Sequence, residues 1–310
     1  MGMAAVARAD SICYGICLSE ESIRSKKMRW SSGRRSSNVE DRRGMRLSGK
    51  LAGGGIGTII LVLVGLYLGI DPSELLQQTG TLSSTSPNAP YTQTAEEQAQ
   101  AEFVAVVLAD TEDTWHAIFA KSGRQYVEPK LVLFTGAVQS ACGYAQSATG
   151  PFYCPADQKV YLDLEFFEDM KRRFKAPGDF AEAYVIAHEV GHHVQTLTGL
   201  MTKVHEARRK LPEAQANALL VRVELQADCY AGLWAHHADR TRGIVEQGDI
   251  EEALGAANAI GDDRLQMQSR GYVVPDSFTH GSSAQRVKWF KRGFTSGSYG
   301  ACNTFETNDL

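Results

Sequence analysis

Residues 188–192 read His-Glu-Val-Gly-His, directly after the apolar run Ala-Glu-Ala-Tyr-Val-Ile-Ala. No other feature constrains the fold as strongly. On a helix, positions i and i+4 lie one above the other on the same face. The run before them marks the helix as buried, and buried polar groups without partners are expensive. Two imidazoles at this spacing can chelate a single tetrahedral Zn²⁺, which supplies the missing partner. Glu189 is rotated away by one residue, so its carboxylate is expected to reach a water at the metal and act as a base toward it. The chain holds only eight histidines in 310 residues, which makes a chance pattern rare. A surface helix with two incidental histidines would need a polar setting, and this segment has none.

A catalytic zinc site takes three protein ligands and keeps one position open. A third histidine six residues on is excluded, because Gln195 and Thr198 stand where a glycine and that histidine would be. The later segment Glu224-Leu225-Gln226-Ala227-Asp228 offers two carboxylates, again at i and i+4. The expected division of labour places Glu224 on the metal. Asp228 then accepts a hydrogen bond from a ligand histidine, fixing its tautomer. The rival assignment puts Asp228 on the metal. His193 points off the metal face and reads as a packing residue. His205, His236 and His237 fit a solvated helix surface. His280 lies in a loop, Thr-His-Gly-Ser-Ser-Ala-Gln-Arg, from which it could donate to a developing oxyanion. Arg286 could hold that loop through charge-assisted bonds.

Charge is distributed unevenly along the chain. Net charge is −4 at pH 7, which gives no footing for nucleic acid. Residues 1–50 are nevertheless basic, and residues 51–70 read LAGGGIGTIILVLVGLYLGI without a charge. A helix of ~20 residues spans a bilayer core of ~30 Å. No Lys or Arg follows until Lys121. This asymmetry predicts a cytoplasmic basic segment over residues 1–50, a single transmembrane helix over 51–70, and a C-terminal domain outside the cytoplasmic membrane. A cleaved signal peptide is the alternative, and Met28 is a second candidate start of translation.

Residues 71–95, rich in Ser, Thr, Gln and Pro, read as a linker, and residues 96–310 as the folded domain. A helix is expected from Glu96 and a strand at Lys130–Gly136. The segment PFYCPADQKVYLDL suggests a hairpin. Further helices are expected at Phe180–Leu197 with Asp179 as N-cap, Glu213–Arg240, Asp249–Gln268 and Ser283–Gly293. A few strands followed by several helices make an α+β pattern. Cys13 and Cys17 precede the apolar segment, which leaves Cys142, Cys154, Cys229 and Cys302 in the domain. An even number in an oxidising compartment suggests two disulfides, and Cys142–Cys154 with Cys229–Cys302 is the preferred pairing.

The blocks MRW…NVEDRRG, GPFYCPADQKVYLDLEFF, AHEVGHHVQ, VELQADCYAG and FTHGSSAQRVKWFKRGF resemble the bacterial neutral zinc metallopeptidases, in order from Met28 to Cys302. The resemblance implies a zincin-like domain, mostly helical with a small sheet, behind a single membrane span. A more distant likeness, to gluzincin membrane peptidases of the CAAX-processing type, lies in Glu224, Asp228, His280 and Arg286 as they follow the paired histidines. It implies His280 as the oxyanion donor, but those proteins have several spans and this sequence offers one. The expected activity is peptide-bond hydrolysis in which zinc activates water, with Glu189 as general base and a peptide or protein as substrate. The strand at Lys159–Leu164 is a candidate edge for pairing an extended substrate. An amidase of cell-wall peptides and a non-catalytic zinc-binding scaffold remain alternatives.

Overall fold

The computed structural model describes residues 28–45 and 92–310. The apolar segment 51–70, for which a membrane span is expected, lies outside the described residues, as do most of residues 71–95. Among the described residues no helix is long and apolar enough to cross a membrane.

The architecture is α+β, with a small sheet on a helical body. Helix α1 (Ala95–Lys121) opens with a capping box: Thr94 accepts from Glu97 N, and Glu97 reaches back to Thr94 N. Its apolar positions, Phe103, Val107, Leu108 and Trp115 among them, are buried. The sheet follows, with β2 (Lys130–Phe134) parallel to β6 (Lys159–Asp163), and β5 (Phe152–Cys154) antiparallel to β6 across the Pro-Ala-Asp-Gln turn. A separate hairpin, β3 (Ala137–Ser140) and β4 (Gly143–Gln146), carries Cys142 at its turn. Cys142 is bonded to Cys154, and Cys229 to Cys302. The first bridge ties the hairpin to β5; the second ties a long helix to the C-terminal residues.

The helices that follow are α2 (Glu165–Arg172), α3 (Asp179–Leu197), α4 (Leu200–Arg208), α5 (Glu213–His237), α6 (Asp249–Ala259), α7 (Asp262–Arg270) and α8 (Ser283–Ser296). Helices α3, α5 and α8 form the centre. Trp234 of α5 stacks on Phe180 of α3 at 5.5 Å, and Phe290 of α8 meets Tyr184 of α3 edge to face. Close approach of backbones sets these crossings. A Cβ on Gly191 of α3 would lie 3.1 Å from Ala227 Cα on α5. A Cβ on Gly293 of α8 would strike the Cys229 carbonyl at 1.9 Å, and one on Gly232 the Phe290 carbonyl at 2.0 Å, so α5 and α8 touch backbone to backbone.

Four expectations are corrected. Residues 28–45 are part of the domain and not a segment apart from it. Strand β1 (Val39–Asp41) runs parallel to β2 in the main sheet. Buried Glu112 of α1 accepts from Ser36 Oγ at 2.5 Å, Asn38 Nδ2 at 2.8 Å and Arg34 Nη2 at 2.9 Å, and Lys159 of β6 pairs with Glu40 at 2.8 Å. Three residues are too short a strand to show period-2 patterning, so the arginines nearby dominated the reading.

Next, β6 is not an edge. Strand order is β1-β2-β6-β5, which makes β5 the edge on that flank. Strand order is a long-range property, invisible in the alternation of one segment. Third, the segment 249–270 is two helices, broken at Ile260-Gly261, where Asp262 N donates to the carbonyl of Gly281. Finally, Asp179 is the first helical residue of α3 and not its cap; Gly178, at φ 125°, takes the cap position.

Candidate metal centre

Helix α3 carries His188 and His192 on one face, with their rings edge to face at 4.8 Å. Across the Gly191 crossing, α5 presents Glu224. Its Oε2 lies 3.2 Å from His188 Nε2 and its Oε1 lies 3.5 Å from His192 Nε2. One ligand-type atom from each of the three residues falls within 4.8 Å of the others, a spacing that a single ion can bridge. The three sit nearly out of solvent, with His192 and Glu224 side chains 12% and 16% exposed.

Each imidazole is held by its other nitrogen. His188 Nδ1–H donates to Asp228 Oδ1 at 2.9 Å, and His192 Nδ1–H donates to Gln195 Oε1 at 2.9 Å. Both Nε2 atoms therefore face the cluster and Glu224, where a metal would take the place of a proton. Gln195 is itself fixed, because its Nε2 donates to the Val223 carbonyl and to Gln226 Oε1. Fully buried Asp228 accepts from Arg286 Nε at 2.9 Å and Nη2 at 3.0 Å, and from the Tyr184 hydroxyl. Arg286 is also buried, and its ion pair with Asp228 keeps the carboxylate below the usual range against the opposing effect of burial. Burial alone would lower the pKa of His188, but hydrogen bonds to Asp228 and Glu224 override it and raise the ring to about 10. Such a field attracts positive charge, whether proton or metal.

The geometry brings Glu224, not Asp228, to the paired histidines, and Asp228 stands behind His188. Glu189 lines the same cleft without belonging to the three-residue cluster. The cleft holds about 510 Å³ and extends from the cluster past Phe152 and Tyr153 of β5 to His280. His280 Nδ1 lies 3.2 Å from Asp262 Oδ1, and the Asp262 bond raises the pKa of the ring against its burial. The other Asp262 oxygen accepts from the backbone N–H of Thr279, His280 and Gly281, so one carboxylate fixes the whole loop. His193 faces away, between the Tyr153 hydroxyl and the Val127 carbonyl.

Sequence reading missed Tyr184, Gln195 and Asp262. Tyr184 had a usable signal, since it stands one helical turn before His188. Gln195 stands one turn after His192 and was read only as the absence of a glycine. Asp262 lies 18 residues before His280 and carries no local sign of its partner.

Residues 28–305 match the family described as "Putative neutral zinc metallopeptidase". The chain is similar to the uncharacterized protein YpfJ of Escherichia coli K12, with 52% identity over 295 residues, covering 90% of this chain and 99% of that protein. It is also similar to the uncharacterized protein Rv2575 of Mycobacterium tuberculosis, with 39% identity over 257 residues, covering 79% of this chain and 86% of that protein. No solved structure matches it. With the match running through every element that builds the cleft, this chain belongs to that family.

Proposed function

We propose that the chain is a zinc-dependent peptidase in which His188, His192 and Glu224 hold the metal and Glu189 is the general base. One observation carries the reading: two imidazole nitrogens and a carboxylate converge from two helices at one end of a cleft that Glu189 and His280 also line. Two neutral nitrogens and one carboxylate oxygen, with space left on the cleft side, form a donor set that suits catalytic zinc. Zinc, when bound, would polarise a substrate carbonyl and lower the pKa of water toward ~7.

The chain's own groups do the rest. Glu189 takes the proton of the attacking water and passes it to the leaving amine. His280, with Nδ1 held by Asp262, donates from Nε2 to the oxygen that gains negative charge. Arg286 and Tyr184 act through Asp228, holding His188 in register. Strand β5, which is the edge strand on the cleft side among the described residues, pairs with an extended peptide through its main chain, and neighbouring apolar side chains such as Phe166 and Met201 line the cleft. The two disulfides support a place in an oxidising compartment outside the bacterial cytoplasm, shared by residues 28–45 and 92–310. Residues 51–70 would be the segment that meets the bilayer.

The test is cleavage of a peptide library by the purified chain. Activity should vanish with a chelator and return with Zn²⁺. Glu189→Gln should keep about one zinc per chain and lose about 10²–10⁴-fold in turnover. A Glu189→Gln protein that cleaves at the parent rate overturns the mechanism. Full zinc retention by Glu224→Ala overturns the ligand set.

A further inference from the structure

His192 is held through a line of buried amides that ends on the C-terminal segment. Its Nδ1 lies 2.9 Å from Gln195 Oε1. Gln195 is fully buried, and its Nε2 donates to the Val223 carbonyl at 2.7 Å and to Gln226 Oε1 at 3.1 Å. Gln226, also buried, donates from Nε2 to the Cys302 carbonyl at 3.1 Å. Cys302 is bridged to Cys229 of α5. The residues after it are clasped to the same helix. Arg222 donates to the carbonyls of Thr304 and Thr307, and the Thr304 hydroxyl donates to the Arg222 carbonyl at 2.7 Å. Arg222 and Gln226 stand on either side of Glu224 in the chain, so this clasp braces the turn of α5 that carries it.

A primary amide can turn end for end, exchanging an acceptor for two donors in nearly the same volume. Its neighbours decide the direction. A main-chain carbonyl can only accept, so Cys302 must face Gln226 Nε2. That leaves Gln226 Oε1 for Gln195, which turns Nε2 toward it and toward the Val223 carbonyl. Gln195 Oε1 is then left for His192, where it accepts from a protonated Nδ1 and leaves Nε2 toward Glu224. A reversed Gln226 would set one NH2 against another, and a reversed Gln195 would offer His192 Nδ1 a donor.

We propose that Gln195 and Gln226 are positioning residues that relay a donor–acceptor direction from the Cys302 carbonyl to His192, and so set the affinity of the metal centre. The proposal rests on the ligand set given above. It makes the bridged C-terminal segment, 110 residues from His192 in the chain, part of what keeps the His192 Nε2 free for a metal.

The test measures zinc affinity by chelator competition on the full chain, and Tm on the chelator-treated protein. Gln195→Leu should lower zinc affinity by about 10–100-fold, and Gln226→Leu by about tenfold. In the double variant, Gln226→Leu should cause no loss beyond that of Gln195→Leu, because a relay is cut only once. Gln226→Glu presents an acceptor to Gln195 whichever way it turns. It should keep zinc affinity close to the parent's even as Tm falls with the loss of the Cys302 bond. Trp234→Phe, which removes a buried bond to Asp110 further along α5, should lower Tm and leave zinc affinity unchanged. Should Gln226→Leu fail to fold, Gln226→Met takes its place. Parental affinity in Gln226→Leu, additive losses in the double variant, or a Gln226→Glu protein as weak as Gln226→Leu each overturn the relay. So does a loss of affinity in Trp234→Phe that matches its loss of Tm, since affinity would then track stability alone. A parent chain that binds no zinc, or keeps it fully in His192→Ala, overturns the ligand set itself. A parent that binds zinc through His192 and is indifferent to Gln226→Leu overturns the relay alone.

Discussion

Replacing Asp228 by Asn keeps the shape of the side chain and removes its charge. The carboxylate is fully buried and accepts from His188 Nδ1, the Tyr184 hydroxyl and two nitrogens of Arg286. An asparagine oxygen can still accept from one of these donors, but its amide nitrogen turns a donor toward the rest. Arg286, 3% exposed, is left as a buried cation without its carboxylate. Its remaining bonds, to the Ile260 carbonyl at 3.3 Å and the Tyr184 hydroxyl at 3.2 Å, carry no compensating charge. Breaking a buried pair from one side costs about 3–5 kcal/mol. For a body of this size that is a fall in Tm of about 6–20 °C. His188 loses its orienting acceptor at the same time, so zinc affinity should drop about 10–100-fold. Thermal melts of the chelator-treated protein read the first effect, and chelator competition reads the second. The double variant Asp228→Asn/Arg286→Met removes the stranded cation as well. It should recover at least about 1 kcal/mol relative to the sum of the single changes. Additive effects, or an Asp228→Asn protein with parental Tm and zinc affinity, would refute the view that Asp228 couples Arg286 to the metal-binding histidine.

Two further outcomes follow from other parts of the structure. His280 donates to the oxyanion only while doubly protonated, so activity should fall as pH rises through its elevated pKa. Asp262→Asn should move that alkaline limb to lower pH with zinc content unchanged, as read from kcat against pH, and an unmoved limb would remove the role. The Cys229–Cys302 bridge closes a loop of 73 residues. Its replacement by two serines should cost about 4 kcal/mol in the chain-entropy view, read by urea unfolding against the parent under oxidising conditions.

The local chemistry was legible because it depends on helical spacing alone. His188 and His192 share a face whatever surrounds them, and Glu189 must then point elsewhere. Glu224 and Asp228 also share a face, and the sequence offered both to the metal. Only the crossing of α3 and α5 at Gly191 and Ala227 decides between them, by setting Glu224 level with the two Nε2 atoms and Asp228 behind His188. Asp262 shows the other limit. Its carboxylate organises the His280 loop from a helix break that reads, in one dimension, as unbroken helix. The same holds for β1, whose three residues become a strand because β2 offers a partner, and for β6, whose central place comes from its neighbours and not from its composition. Residue type and periodicity fix which groups face the same way over one or two turns. Which of those faces meet is set by backbone approach between elements far apart in the chain, and no short window of sequence records it.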